Sequence, residues 1–548
     1  MSVEVIVEAV TLFDGEKLHE RPVSVAVSQG VFTAVSGGSL RHLAGPETRV
    51  IDGAGAFMMP GLVDVHNHHA VAGRADLFEL SIPVGASASE VLEAVARHAS
   101  DLSQDAWITG GPWGTNLLNE LNTLSMRAKL DEASGGRPVV LIEDSRHNRW
   151  ASSEALRLAG IEVADAQAGV LAEAGSTEPT GVLLEGAGLK VEQAMAAAGG
   201  ITALQHRMSS ARGVEVLNSF GVTAFQDAAT SLPMLQALAE LDTEGELNAW
   251  VVSSLTMNDD IFGFDPIGQV LIDQSEAYRT PHHRPDFVKI FLDGVPPART
   301  AAFLEPYLAD EQHGCEHRGE LLISHDDFAA LMAELAGQGL NVKVHCAGDA
   351  SAREVLNVVE TLRAGGDWGT RVHIAHGQIL APSDLPRLGE LAVTADMSPF
   401  VWFPGVIPHA LSQVLPAHTL EKFQPSRDLL TLGAKLAMGS AWPVSPTPNP
   451  WVGIHGLVTR EDPFRQWPGE LCPDQALTVV EALTVCTSGG AEAMGLGEVT
   501  GRVREGFSAD FVMLDTNPFT EPVTTLVDTR VRETWFCGRS VYRNEHAR

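Results

Sequence analysis

Between residues 63 and 439 the chain repeats one pattern: a short apolar run stops at a turn, and a helix-prone segment follows. Such runs occupy residues 138–142, 222–225, 287–291, 341–344, 372–375 and 436–439. Strand-like and helix-like segments that alternate this many times predict an α/β chain, a (β/α)8 TIM barrel with its active site at the C-terminal ends of the strands. A doubly wound sheet would alternate similarly, but no glycine-rich phosphate loop follows the first strand. Ser87-Ala88-Ser89-Glu90 reads as a capping box opening a helix that runs to about His98.

Both ends of the chain look different. Residues 3–9 and 22–28 alternate as strands do, and the last fifty residues return to short strands such as 509–514, 531–536 and 540–542. We expect one β-sandwich domain from residues 1–58 and 490–548, with the barrel over 59–489. Residues 70–137 and 228–285 exceed ordinary connections and are expected to be inserted lids or subdomains. The 548 residues suffice for this, and a formal net charge of −33 argues against nucleic acid or an anionic membrane as partner. No signal peptide or membrane-spanning run is visible. Five scattered cysteines without Cys-x-x-Cys suit a reducing, cytoplasmic setting. The partner expected is a small molecule, with a homodimer as an open alternative.

Several expected strands end in a metal-competent side chain. In Val63-Asp64-Val65-His66-Asn67-His68, alternation puts His66 and His68 on one side, where two imidazoles can share an ion. Histidine pairs also arise by chance, so partners matter. His345 and His376 each end a further apolar run. In Val288-Lys289-Ile290-Phe291-Leu292-Asp293, alternation turns Lys289 and Asp293 inward. A buried ammonium is costly and its pKa falls. Either the neutral amine adds carbon dioxide to give a metal-bridging carbamate, or the lysine pairs with Asp293 or another acid. Lys343 is a rival inward lysine. His282, His283, His313 and His317 read as solvated loop residues, and His69 and His373 as supporting groups or nothing.

The chain resembles the amidohydrolase superfamily, specifically its YtcJ-like, N-substituted formamide deformylase-like branch. The resemblance rests on Pro60-Gly61-Leu62-Val63-Asp64-Val65-His66-Asn67-His68, Gly110-Gly111-Pro112-Trp113, His147-Asn148-Arg149-Trp150, Pro179-Thr180-Gly181, Lys289 to Gly294, Arg299-Thr300-Ala301, His345-Cys346-Ala347-Gly348-Asp349 and His376-Gly377-Gln378. It implies a distorted barrel with a terminal β-sandwich, and one or two divalent ions, usually Zn2+. It also implies His66 and His68 on one ion, carboxylated Lys289 bridging, and His345 and His376 on the second. The implied reaction is hydrolysis of an amide or N-formyl C–N bond in a small, partly apolar molecule.

One position departs from the family. Its pattern has an acid–base aspartate in Gly-Ser-Asp-Trp-Pro-Val, whereas this chain reads Gly439-Ser440-Ala441-Trp442-Pro443-Val444. A methyl group neither ligates nor moves protons, so impaired turnover is expected. Three explanations compete: a substitution that traps substrate, another base such as His147 or Glu185, or a metal- and ligand-binding protein without turnover. A cyclic amidine deaminase is the enzymatic alternative, and Lys289 speaks against it. His147 is also a candidate to steady an oxyanion. Trp113, Trp150, Phe400, Trp402 and Trp442 are candidates to line an apolar pocket, with packing as the alternative. Arg299 would bind a substrate carboxylate or pair with nearby acids.

Overall fold

The computed structural model describes the chain except residues 1–2, 84, 101, 145, 164–168, 259–261, 312, 401–402, 422 and 546–548. Eight parallel strands form the central barrel: β1 (Leu62–Asn67), β2 (Val222–Thr230), β3 (Trp250–Thr256), β4 (His283–Phe291), β5 (Asn341–Cys346), β6 (Val372–His376), β7 (Val393–Met397) and β8 (Lys435–Met438). They pair in chain order from β1 to β8. Their residues are buried almost throughout, as expected for strands covered by helices outside and packed side chains inside. In β4, Val288 and Ile290, with Leu292 just beyond, join the main hydrophobic core, while Lys289 takes the opposite face. The helices begin where the sequence supplies caps. Ser87 and Glu90 exchange bonds, with Ser87 N–H donating to Glu90 Oε2 at 2.8 Å, ahead of the helix Ala88–Ser100.

No strand ladder joins β8 to β1. Side-chain and loop bonds bridge them instead. Ser440 N–H and Oγ donate to the Asp64 carboxylate at 3.0 and 2.6 Å, Ala441 N–H donates to the His66 carbonyl at 2.6 Å, and His68 N–H to the Trp442 carbonyl at 2.8 Å. The barrel is thus nearly closed, and its seam runs through the metal-competent residues. Gly439 belongs to that seam: a Cβ there would lie 2.2 Å from His66 Cβ.

Strands from both chain ends share one sheet. Phe511–Leu514 runs antiparallel to Phe57–Pro60, with Phe511 opposite Pro60, and the N-terminal strands Val5–Leu12, Val23–Ser28 and Val31–Ser36 continue it. Val7, Val25, Phe32, Met58, Phe511 and Trp535 pack between its layers.

The insertions differ from expectation. Residues 138–142 do not form a barrel strand. Val139–Glu143 belongs to a separate six-stranded sheet with Leu80–Ser81, Ile108–Trp113, Arg149–Ala151, Val170–Ala172 and Pro179–Leu183. The insertion after β1 therefore extends well past residue 137. Conversely, residues 228–285 hold β3 and the helices Leu232–Thr243 and Gln269–Ser275, an ordinary βαβ passage. No apolar run marks this strand, because Ser254 and Thr256 turn hydroxyls into the barrel, where Ser254 meets Gln226 and Thr256 meets the Thr230 carbonyl, while Ser253 on the opposite face meets His283. Among the described residues no helix is long and apolar enough to cross a membrane.

Candidate metal centre

Four imidazoles gather at the C-terminal ends of β1, β5 and β6. The His66 ring lies 4.8 Å from that of His376 and 5.7 Å from that of His68, and His345 lies 4.7 Å from His376, centroid to centroid. His376 has φ +76°, and this left-handed turn ends β6 at the ring. Burial pushes His66 and His376 well below the usual imidazole range, and His68 and His345 down to about 3. All four are therefore neutral donors at physiological pH.

Lys289 is 1 % exposed and projects toward them from β4. Asp293 is not its partner. That carboxylate accepts from the backbone N–H groups of Ala302, Ala347 and Gly348 and from Ser351 Oγ at 2.8–3.0 Å, which leaves it occupied. Among the described residues no acceptor bonds the Lys289 ammonium, which sits 4.9 Å over the Phe291 ring. Burial, with Lys343 adding its charge, lowers its pKa to about 7. Lys343 has a different fate. It is fully buried, ion-paired with Asp396 on β7, and donates to the Val65 carbonyl at 2.9 Å. The other Asp396 contact is His66 Nδ1 at 2.8 Å.

The donor chemistry suits a divalent ion: neutral imidazoles, a buried amine with no ion-pair partner among the described residues, and an orphaned Nδ1 on buried His68. The side chains as placed do not yet converge, since among the described residues no three His, Cys, Asp or Glu donors are positioned around one point. The amine of Lys289 lies outside that donor set.

Ala441 is buried and takes φ +55°. A non-glycine residue there is uncommon, and Asp and Asn occupy that region more readily than Ala. The backbone at this seam thus has a conformation that Asp or Asn would adopt more readily than Ala. His147 stands on the hairpin between Val139–Glu143 and Arg149–Ala151, with Nδ1 2.9 Å from Glu185 Oε2. It lies near enough to His345 to act on it, which brings the hairpin tip towards the barrel mouth.

Other expected site residues lie elsewhere or serve packing. Trp113 and Trp150 are fully buried in the core of the inserted sheet, and Trp113 Nε1 donates to the Leu141 carbonyl. Phe400 and Trp442 are buried in the barrel's main core. Trp402 lies outside the described residues. Arg299 is tied to Asp310 at 3.0 Å and to the Leu308 carbonyl at 2.6 Å. His283 is not solvated: it is buried at the start of β4, between Ser253 Oγ and the Tyr278 carbonyl. His69 pairs with Asp227 at 2.6 Å, and His373 Nε2 bonds the Ala493 carbonyl. Three residues had no signal in the sequence reading: Asp396 inside β7, Arg146 at the hairpin tip, and Phe262, whose ring covers His68 at 5.0 Å.

The profile of the amidohydrolase family matches residues 49–542. The chain belongs to the amidohydrolase family. It is 26% identical over 520 residues to an N-substituted formamide deformylase of Arthrobacter pascens, covering 91% of each chain. It is 27% identical over 545 residues to the putative amidohydrolase YtcJ of Bacillus subtilis, covering 95% of this chain and 96% of that one. Among solved structures, an uncharacterized metal-dependent hydrolase from Pyrococcus horikoshii superimposes with a TM-score of 0.75 at 21% identity, covering 95% of this chain and 99% of that one. Within this amidohydrolase the hairpin carrying Arg146 and His147 lies near enough to the imidazoles for these residues to act on His68 and His345.

Proposed function

We propose that this amidohydrolase holds one or two divalent metal ions, with Zn2+ the expected occupant, through His66, His68, His345, His376 and carboxylated Lys289. Its fold is built to hydrolyse an amide or N-formyl C–N bond of a small, partly apolar molecule. The carrying observation is Lys289: buried, with no ion-pair partner among the described residues, and turned toward four neutral imidazoles. Near neutral pH a sizeable fraction of this amine is unprotonated. Its nitrogen adds to carbon dioxide, one N–C bond forms, and one N–H proton leaves to solvent. A bound divalent ion supplies Lewis acidity and an acidified water.

The chain's own groups do the rest. The seam bonds of Asp64, Ser440 and Ala441 hold β1 and β8 at a fixed separation. Phe262 shields His68 from solvent. Proton transfer is the weak point, because Ala441 offers no carboxylate, and we infer that turnover is impaired for that reason. The test is Ala441→Asp, assayed after zinc loading against a panel of N-formyl and N-acyl amines. General acid–base catalysis contributes about 10²–10⁴-fold, so a gain of that order is expected. No gain on any member would sink the inference that the missing aspartate limits turnover.

The His147–Glu185 contact favours a second reading. A carboxylate at Nδ1 fixes that nitrogen as the donor and makes Nε2 the basic one, an arrangement suited to a general base. If the unaltered chain already hydrolyses an amide and His147→Gln abolishes this, the second reading replaces the first.

A further inference from the structure

The hairpin tip that carries His147 also carries Arg146, with φ +67°. Its backbone is pinned on both sides: its N–H donates to the Glu143 carbonyl at 2.9 Å, and its carbonyl accepts from Arg149 Nη1 at 2.6 Å. A non-glycine residue held in the left-handed region by its surroundings often marks a functional constraint. The rim around it is rich in arginine, yet its acids are already engaged. Arg74 holds Glu79 at 2.6 Å, Arg149 holds Glu192 at 2.9 Å, and His147 holds Glu185 at 2.9 Å. Among the described residues no carboxylate lies within ion-pair distance of Arg146.

This is anomalous in a chain whose formal net charge is −33. Removing a guanidinium from water is costly unless a counter-charge is supplied. Burial lowers the Arg146 pKa to about 10, so it remains cationic at neutral pH, and its charge is felt at His68. Arg299, the arginine expected from sequence to bind an acid, is already held by Asp310. We propose that Arg146 is the recognition site for a carboxylate on the substrate, which makes the preferred ligand class N-acylated or N-formylated amino acids rather than neutral amides. A guanidinium fork matches a carboxylate through two parallel hydrogen bonds. Glu79, bonded to Arg74, reaches Arg146 only at longer range. One cation with no direct ion pair among the described residues fits a monoanion, whereas a phosphate dianion would need a second, and Arg74 and Arg149 are engaged by Glu79 and Glu192.

The inference rests on the amidohydrolase reading for the rest of the ligand but not for its carboxylate. The test measures binding to the zinc-loaded full chain by calorimetry, using N-formylphenylalanine and its decarboxylated counterpart, N-formyl-2-phenylethylamine. A charge-assisted bidentate contact predicts about 10- to 100-fold tighter binding of the acid. Arg146→Gln should erase that preference while leaving the neutral amide's affinity and the zinc content unchanged, and Arg146→Lys should keep part of it. Equal affinities in the unaltered chain, no binding of the acid, or a preference that survives Arg146→Gln would each overturn the carboxylate site. An Arg146-dependent preference without hydrolysis of either compound by Ala441→Asp would uphold the carboxylate site and count against the amide reading alone.

Discussion

Asp396 shows how much of the centre depends on groups that would touch no metal. It is buried on β7 between the Lys343 ammonium and His66 Nδ1. Accepting from Nδ1–H fixes one tautomer of His66 and leaves Nε2 as its donor nitrogen toward an ion. Lys343 in turn supplies the positive charge that lets a carboxylate persist away from water. Asp396→Asn removes that charge and the tautomer preference together. Loss of such a supporting group typically weakens metal affinity about 10–100-fold. The stranded Lys343 should also destabilise the fold by about 3–5 kcal/mol, the usual cost of breaking a buried pair from one side. Zinc competition against a chromogenic chelator reads the first effect and urea unfolding the second. A folded variant with unchanged zinc affinity would remove Asp396 from the proposed centre. Ala441 is the converse case, a side chain with no polar group to offset the left-handed conformation it occupies.

At the scale of elements, the helix Val479–Thr484 gives a prediction with a defined sign. Thr478 caps it, and Glu481 closes the capping box while taking both Nη groups of Arg427 at 2.6 Å. The Arg427 bonds, with the Thr478 cap, hold the Glu481 carboxyl near about 2, below its ordinary 4.5. A depressed folded pKa adds stability above the unfolded value and loses it as pH falls through the folded one. The unfolding midpoint of Glu481→Gln should therefore trail the unaltered chain fully at about pH 6, less at about pH 4, and progressively less below that. A gap constant across that range would show that the carboxylate charge is not what matters.

Elements also explain what the sequence could reveal. Strands β1, β4, β5 and β6 were legible because each is an apolar run that stops at a histidine or carries one inward lysine, and period-2 alternation then gives the facing. Alternation put His66 and His68 on one side and turned Lys289 inward with Asp293, strand-end position picked out His345 and His376, and only the family resemblance joined the five into one set. The pattern could not tell residues 138–142 from a barrel strand, because an apolar run does not say which sheet it joins. It passed over β3, whose inward residues are hydroxyls satisfied only by distant partners. Arg146 had no pattern at all: its meaning lies in the acids around it being engaged, which is a property of three dimensions.

For the whole molecule, the seam between β8 and β1 has a thermodynamic consequence. Every other adjacent pair of barrel strands is held by a backbone ladder, and this one depends on the Asp64–Ser440 contact and two backbone loop bonds. The proposed ligands come from β1, β4, β5 and β6, so a bound ion would tie four staves together but leave β8 outside its reach, because Ala441 carries no donor. A ligand that binds only the folded state stabilises it by about 2.7 kcal/mol at a hundredfold excess over its Kd. Zinc should therefore raise the calorimetric unfolding midpoint of the chain, and Lys289→Ala should remove most of that rise. Ala441→Asp would bring β8 into the proposed ligand set if its carboxylate reaches the ion. Its zinc-dependent rise should exceed that of the unaltered chain at the same free zinc, while the metal-free midpoints stay close together. If zinc shifts both chains equally, the carboxylate at this position does not reach the ion. The gain expected in catalysis would then need an explanation other than a restored ligand.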